Sequence, residues 1–136
     1  ASIDAEPRAE GVGGVTVQCC SRLSEAVVPA GVDFVGVDEG QFFPDLAEAA
    51  ELLMRQGKVV HVAALSGDYA RKPFPAVAAA LGLATDVRFH TAVCRTCGSD
   101  APYTLKTVAE VPVENRLIGG ADKYRAACAA CYEAHA

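Results

Sequence analysis

The sequence predicts an α/β domain with a parallel sheet, followed by a smaller module built on cysteines. Three observations predict this. Apolar, β-prone segments alternate with helical ones up to residue 93, the pattern of βαβ units. One of those strands runs into two adjacent acids, Asp38 and Glu39, at its carboxyl tip. That is where open α/β sheets bind their ligands. After Val93 the pattern changes, and short β-prone pieces lie between the pairs Cys94-Arg-Thr-Cys97 and Cys128-Ala-Ala-Cys131. The chain is therefore divided into a lead-in (1–14), an α/β core (15–93) and a cysteine module (94–136).

Taken in order, residues 1–14 are small, polar and glycine-ended, and read as a flexible lead-in. The cluster Gly11-Val12-Gly13-Gly14 follows no strand and precedes no Gly-Lys-Ser/Thr, so it reads as linker rather than phosphate loop. Val15 to Val17 suits a short strand, and Ser21 to Val28 one or two helical turns. Asp33 to Val37 is a strand that does not alternate, so burial on both faces is expected. Pro44 suits the first position of a helix. In that helix Leu46, Ala49, Ala50, Leu53 and Met54 form one apolar face, and Gly57 ends it. Lys58 to Leu65 is the second strand, with His61 expected to be core or half-buried. Ser66 to Pro73 is a loop, Phe74 to Leu83 an alanine-rich helix, and Val87 to Val93 a third strand. Beyond it, Tyr103 to Val108 and Val111 to Ile118 are β-prone.

Composition limits the function. Of 136 residues, 51% are hydrophobic and 21% charged, which predicts a packed core. The formal net charge of −5 argues against nucleic acid or an anionic membrane as partner, since both need a basic face. No apolar run reaches the roughly 18 residues of a bilayer span. Residues 1–14 carry four charges and no apolar stretch, so they do not read as a signal peptide, and a cytoplasmic location is expected. In that compartment six cysteines read as metal ligands or free thiols before disulfides.

Two C-x₂-C pairs can place four thiolates around one Zn²⁺ in a closed tetrahedron. Four protein ligands leave no position for water, so a structural Zn²⁺ is expected, one per chain, stapling a segment too small to bury its own core. The thirty residues between the pairs (98–127) would project as a long loop. Within it, Gly119 and Gly120 allow close backbone approach to a ligand or an ordinary turn, and Tyr124 offers a flat face and a hydroxyl. Cys19 and Cys20 stand apart and read as buried or free thiols. Asp38 and Glu39 have two readings as well. They can hold Mg²⁺ and act as a base in nucleotide-dependent phosphoryl transfer, or they can simply cap the following helix.

Several stretches together resemble one family, the zinc-containing, cytosolic-type thymidine kinases. They are Asp38-Glu39-Gly40-Gln41-Phe42-Phe43-Pro44-Asp45, Ala63-Ala64-Leu65, Arg71-Lys72-Pro73-Phe74, Ala92-Val93-Cys94 with Cys97, Tyr103-Thr104, Ile118-Gly119-Gly120-Ala121-Asp122-Lys123-Tyr124 and the final cysteine pair. The resemblance implies a P-loop-kinase-like parallel sheet with helices, incomplete at its N-terminus, plus a zinc-ribbon and lasso subdomain. It implies transfer of the ATP γ-phosphate to the 5′-hydroxyl of thymidine, in DNA precursor salvage. Glu39 would be the general base, and Asp38, Gly40 and Gln41 would serve Mg²⁺–ATP. Phe42, Leu65, Tyr69, Phe74 and Thr104 would wall the base pocket. Asn115, Arg116, Leu117, Ile118 and Gly119 would form the lasso that reads thymine through backbone groups, with Tyr124 closing it. Cys94, Cys97, Cys128 and Cys131 would hold the zinc. A homo-tetramer and feedback inhibition by dTTP are implied too.

The sequence also departs from the family pattern. Tyr69 stands where relatives usually carry Phe, and Asn115-Arg116-Leu117 replaces a more apolar run. The 136 residues contain no G-x-x-x-x-G-K-S/T: at the one Gly-Lys, Gly57-Lys58, Leu52 occupies the place of the first glycine and Val59 that of the hydroxyl. Without that backbone nest and its lysine, this chain by itself is expected not to turn over ATP. The alternative is a non-catalytic nucleoside-binding or zinc-ribbon assembly fragment derived from such a kinase.

Overall fold

The computed structural model describes residues 14–107 and 123–135. The expected lead-in and most of the lasso segment lie outside the described residues. The chain forms two compact units, one comprising residues 1–66 and 74–85, the other 67–73 and 86–136.

In the first unit the apolar run 34–37 forms strand β1 (Phe34–Val37), and Val59–Val62 forms β2. They pair in parallel, in the register Phe34 to Val59 through Val37 to Val62. A parallel pair needs a crossover, and helix α1 (Leu46–Arg55) supplies it. Its apolar face buries Leu46 completely and Ala50 nearly so. Helix α2 (Pro75–Leu81) begins with proline at its first turn, where a missing N–H costs nothing, and packs against α1. The Lys58 ammonium donates to the Val32 carbonyl at 2.7 Å, so the one Gly-Lys serves the turn before β1.

Several expectations need correction here. Val15–Val17 forms no strand, whereas the segment 21–28 does contain one helical turn, of 3₁₀ type, at Leu23–Glu25. The third strand expected over 87–93 is reduced to Ala92–Val93 (β3), which pairs antiparallel with Asp100–Ala101 (β4) in the second unit. A β-prone run becomes a strand only where a neighbour takes its hydrogen bonds, and residues 86–91 have none in a ladder. For the same reason β1 is not buried on both faces. In a two-stranded sheet Phe34 stays 55% exposed and only Val37 is buried. His61 is exposed rather than core, its ring 4.7 Å from that of Phe34.

Asp45 anchors the entry to α1, but not by capping it. Only 6% exposed, its carboxylate accepts from the backbone N–H groups of Leu23 (3.1 Å) and Ser24 (3.0 Å). It thus caps the neighbouring 3₁₀ turn. Burial opposes its charge, but the Ser24 and Leu23 donors outweigh that cost and hold the carboxyl below its usual value. A depressed carboxyl adds stability above its unfolded value, near 4, and loses it as pH falls toward the folded one. Asp45→Asn is therefore expected to cost about 1–3 kcal/mol at neutral pH, the penalty of mismatching buried donors. It should also flatten the dependence of the urea midpoint on pH below about 4. An unchanged midpoint at pH 7 would refute the assignment.

The second unit is a small β structure. Strand β5 (Tyr103–Lys106) pairs antiparallel with β6 (Tyr124–Ala127), and helix α3 (Ala129–Glu133) follows directly. Its core is Leu105, Ala127 and Tyr132, with Tyr103 packed against it. The β-prone run 111–118 lies outside the described residues. No helix among the described residues is long and apolar enough to cross a membrane.

Candidate functional site

The acids Asp38 and Glu39 sit at the carboxyl tip of β1, and both are exposed. The turn that holds them is tied to the residue after β2: Ala63 N–H donates to the Val37 carbonyl (2.8 Å), and Gly40 N–H donates to the Ala63 carbonyl (3.0 Å). Gly40 is required by this approach, since a Cβ there would stand 2.7 Å from Val62 Cγ1. Glu39 has φ +53°, a left-handed conformation that costs energy in a residue with a side chain.

Neither carboxylate caps a helix, although Glu39 precedes the 3₁₀ turn Gly40–Phe42 and its carbonyl accepts from the Phe42 N–H (3.0 Å). Asp38 Oδ1 accepts from the Glu39 N–H at 2.9 Å. The Glu39 carboxylate accepts from the amide nitrogen of Gln41. Gln41 is 3% exposed, and its amide oxygen accepts from the Leu65 N–H at 3.0 Å. A buried amide fixed by backbone thus holds one carboxylate in a strained turn with its charge outward. Phe42 and Leu65 expose large apolar surfaces in the same unit, and Phe74 is half-buried at the start of α2. A groove of about 590 Å³ between the Leu23 turn and α1 is lined by Val35, Val37, Leu52 and Leu53, and none of these expected site residues lines it.

In the second unit the four expected cysteines converge. Cys94, Cys97, Cys128 and Cys131 have all their Sγ atoms within 4.8 Å of one another, and Cys94 is buried. A tetrahedron with Zn–S near 2.3 Å requires sulfurs about 3.8 Å apart, so the cluster fits a single metal ion. Local structure explains the convergence. Cys94 N–H donates to the Ser99 carbonyl (2.7 Å) and Gly98 N–H to the Cys94 carbonyl (3.0 Å), closing a knuckle that Gly98 completes at φ +79°. Cys128 precedes α3, and its sulfur accepts from the Cys131 N–H. Backbone donors from Cys128, Thr96 and Cys97 pull the Cys94 thiol down to about 6. Cys131, hydrogen-bonded to the sulfurs of Cys128 and Cys97, is pushed up to about 12. Cys19 and Cys20 are free thiols outside this cluster, the first exposed and the second half-buried.

Tyr69 and Tyr124 are brought together in the same unit, their rings stacked with centroids 6.2 Å apart and planes at 30°. Burial first, then the charges of Tyr69 and Asp68, push the Tyr124 hydroxyl up, so it is a neutral hydrogen-bonding group. Thr104 is half-buried on β5, paired with Ala126. Asn115, Arg116, Leu117, Ile118 and Gly119 lie outside the described residues. Sequence reasoning gave no role to Tyr132, whose hydroxyl donates to the Tyr69 carbonyl, or to Arg71, whose guanidinium lies over the Tyr132 ring. The signal available was an aromatic residue directly after the last cysteine and an Arg-Lys pair in a loop otherwise read as a connection.

Comparison with known proteins adds to this geometry. A family model described as thymidine kinase matches residues 12–132. Similar curated proteins include the cytosolic thymidine kinase of Homo sapiens, 49% identical over 113 residues, which are 83% of this chain and 47% of the relative. Thymidine kinase 1 of Dictyostelium discoideum is 42% identical over 83% of this chain and 49% of its own length. The thymidine kinase of raccoon poxvirus is 41% identical over 78% of this chain and 60% of its own. The chain spans about half the length of the curated relatives it matches.

Proposed function

Because the chain belongs to the thymidine kinase family, we propose that it serves the transfer of the ATP γ-phosphate to the 5′-hydroxyl of thymidine, with Glu39 as general base. The observation that carries this reading is the Glu39–Gln41–Leu65 arrangement at the tip of β1. A base must be exposed, ionised and held still, and a buried amide fixed by a backbone N–H supplies the last of these. Glu39 takes the 5′-hydroxyl proton as the oxygen bonds to the γ-phosphorus and the bond to the ADP oxygen breaks. Asp38, beside it, together with Gly40 and Gln41, would serve Mg²⁺–ATP, the metal neutralising charge on the transferring phosphoryl group. The fold reading that goes with this is a P-loop-kinase-like core.

The residues that the resemblance assigns to thymidine are Phe42, Leu65 and Phe74 in the first unit and Tyr69, Thr104 and Tyr124 in the second; residues 115–119 lie outside the described residues. The metal of the cysteine cluster is Zn²⁺, structural because its four thiolates complete the shell. The same reading gives a cytoplasmic enzyme of nucleoside salvage, assembled as a homo-tetramer and inhibited by dTTP.

The test is thymidine binding by the full chain. Thymidine at 100 times its Kd should stabilise the chain by about 2.7 kcal/mol, visible as a rise in Tm. Mg²⁺–ATP with thymidine should give no turnover with this chain alone, because it carries no Gly-Lys-Ser/Thr nest. Absence of any thymidine shift at saturation would overturn the nucleoside reading. Measurable turnover would overturn the requirement for that nest.

A further inference from the structure

The loop Gly67–Pro73 belongs to the second unit although it interrupts the first in sequence. It is closed on itself. Gly67 and Pro73 bridge, Asp68 N–H donates to the Lys72 carbonyl (2.9 Å), and the Asp68 carboxylate accepts from the N–H groups of Ala70 (2.8 Å) and Lys72 (2.9 Å). Arg71, at φ +60°, donates its own N–H to the Asp68 carbonyl (3.0 Å). Its guanidinium lies 4.6 Å from the ring centroid of Tyr132 and 5.7 Å from that of Tyr103, and Nη1 meets Glu133 Oε1 at 2.6 Å. From the other side, the buried Tyr132 donates its hydroxyl to the Tyr69 carbonyl at 2.6 Å. Tyr132 and Glu133 directly follow Cys131 in the five-residue helix α3. An isolated helix of that length is not stable in water, so α3 depends on the cysteine cluster that starts and crosses it.

We propose that Arg71 and Tyr132 are positioning residues that clamp the Tyr69 loop to α3, so that loading the cysteine cluster with metal sets Tyr69 for the nucleoside. The proposal rests on the nucleoside-binding reading of Tyr69. Two linked fixations define it. The Tyr69 carbonyl is held by α3, and its ring is held by Tyr124 and by Lys106 Nζ, 5.2 Å from the ring centroid. The Arg71–Glu133 pair is solvent-exposed and by itself contributes little. The stacked guanidinium and the hydroxyl from a buried ring carry the attachment.

The test uses the full chain loaded with zinc, with three readouts: zinc content, amide exchange at residues 70–72, and thymidine affinity. Tyr132→Phe keeps the core ring and removes only the hydroxyl. It is expected to retain one zinc per chain, to speed exchange at 70–72, and to weaken thymidine binding roughly three- to tenfold, the worth of one buried hydrogen bond. Arg71→Gln, at an exposed side chain that does not threaten folding, should act in the same direction, and Arg71→Lys should restore part of the loss. Removing zinc from the parent chain should speed exchange at 70–72 as the variants do. Unchanged affinity and exchange in both Tyr132→Phe and Arg71→Gln would overturn the clamp while leaving the kinase reading intact. Zinc-protected amides in a chain that never binds thymidine would overturn the nucleoside reading, and the positioning role with it.

Discussion

On the proposed function, in a polypeptide that also supplies the Gly-Lys-Ser/Thr nest, exchanging Glu39 for glutamine is expected to abolish most thymidine phosphorylation while leaving the fold and thymidine affinity in place. The substitution keeps side-chain size and removes only the ability to accept a proton. Positioned general bases contribute about 10²- to 10⁴-fold, so where a longer polypeptide supplies the Gly-Lys-Ser/Thr nest that the proposed function requires, kcat should fall by that factor. The Gln41 amide would remain bonded to the Leu65 N–H, so the turn should persist. Glu39 lies at an exposed, left-handed position where no apolar contact is lost, and Tm should stay within about 2 °C, as surface substitutions generally do. A kcat within threefold of the parent would remove Glu39 from the role of base. A large fall in Tm would show instead that its bond to Gln41 is structural. The KM for thymidine separates the outcomes further, since loss of a transition-state interaction lowers kcat and kcat/KM alike.

The acid-tipped strand, the amphipathic helix and the cysteine pairs were legible because each is a local pattern. Val37, Asp38 and Glu39 are adjacent in sequence, and the apolar positions Leu46, Ala50 and Leu53 repeat within one helix. Each C-x₂-C pair brings its own two sulfurs together through a single turn. What was not legible depended on partners distant in sequence. The run 87–93 has strand composition, yet Phe89 is 76% exposed and only Ala92–Val93 finds a partner. The burial expected for β1 failed because composition describes what a strand can bury, not how many neighbours it has. The role of Asp45 was not legible either, since its carboxylate accepts from backbone N–H groups 21 and 22 positions away. The clamp on Tyr69 joins residues 62 and 63 positions apart, with no periodicity to announce it.

Removing the metal from the cysteine cluster is expected to unfold the second unit, the larger structural effect available in this chain. Its buried apolar residues among those described are Cys94, Ala101, Leu105, Ala127 and Tyr132, with Tyr103 at the edge. So small a core does not support an independent fold, and metal-bound modules of this size are typically unfolded without their ion. The knuckle at Cys94–Gly98 is tied to β6 by the Arg95 N–H donating to the Ala126 carbonyl (3.1 Å). Loss of the ion therefore frees the sheet edge as well as α3. Chelation at neutral pH should erase amide protection over 92–106 and 123–133. In the first unit, the β1–β2 ladder and α1 contain none of the four cysteines and should keep theirs. Cys128→Ala should reproduce this, because it removes both a ligand and the sulfur that caps α3. Readdition of Zn²⁺ should restore protection to the chelated parent with one ion per chain. Protection that survives chelation would mean that the thiols only happen to converge, and that the β5–β6 hairpin and its tyrosines hold the unit unaided.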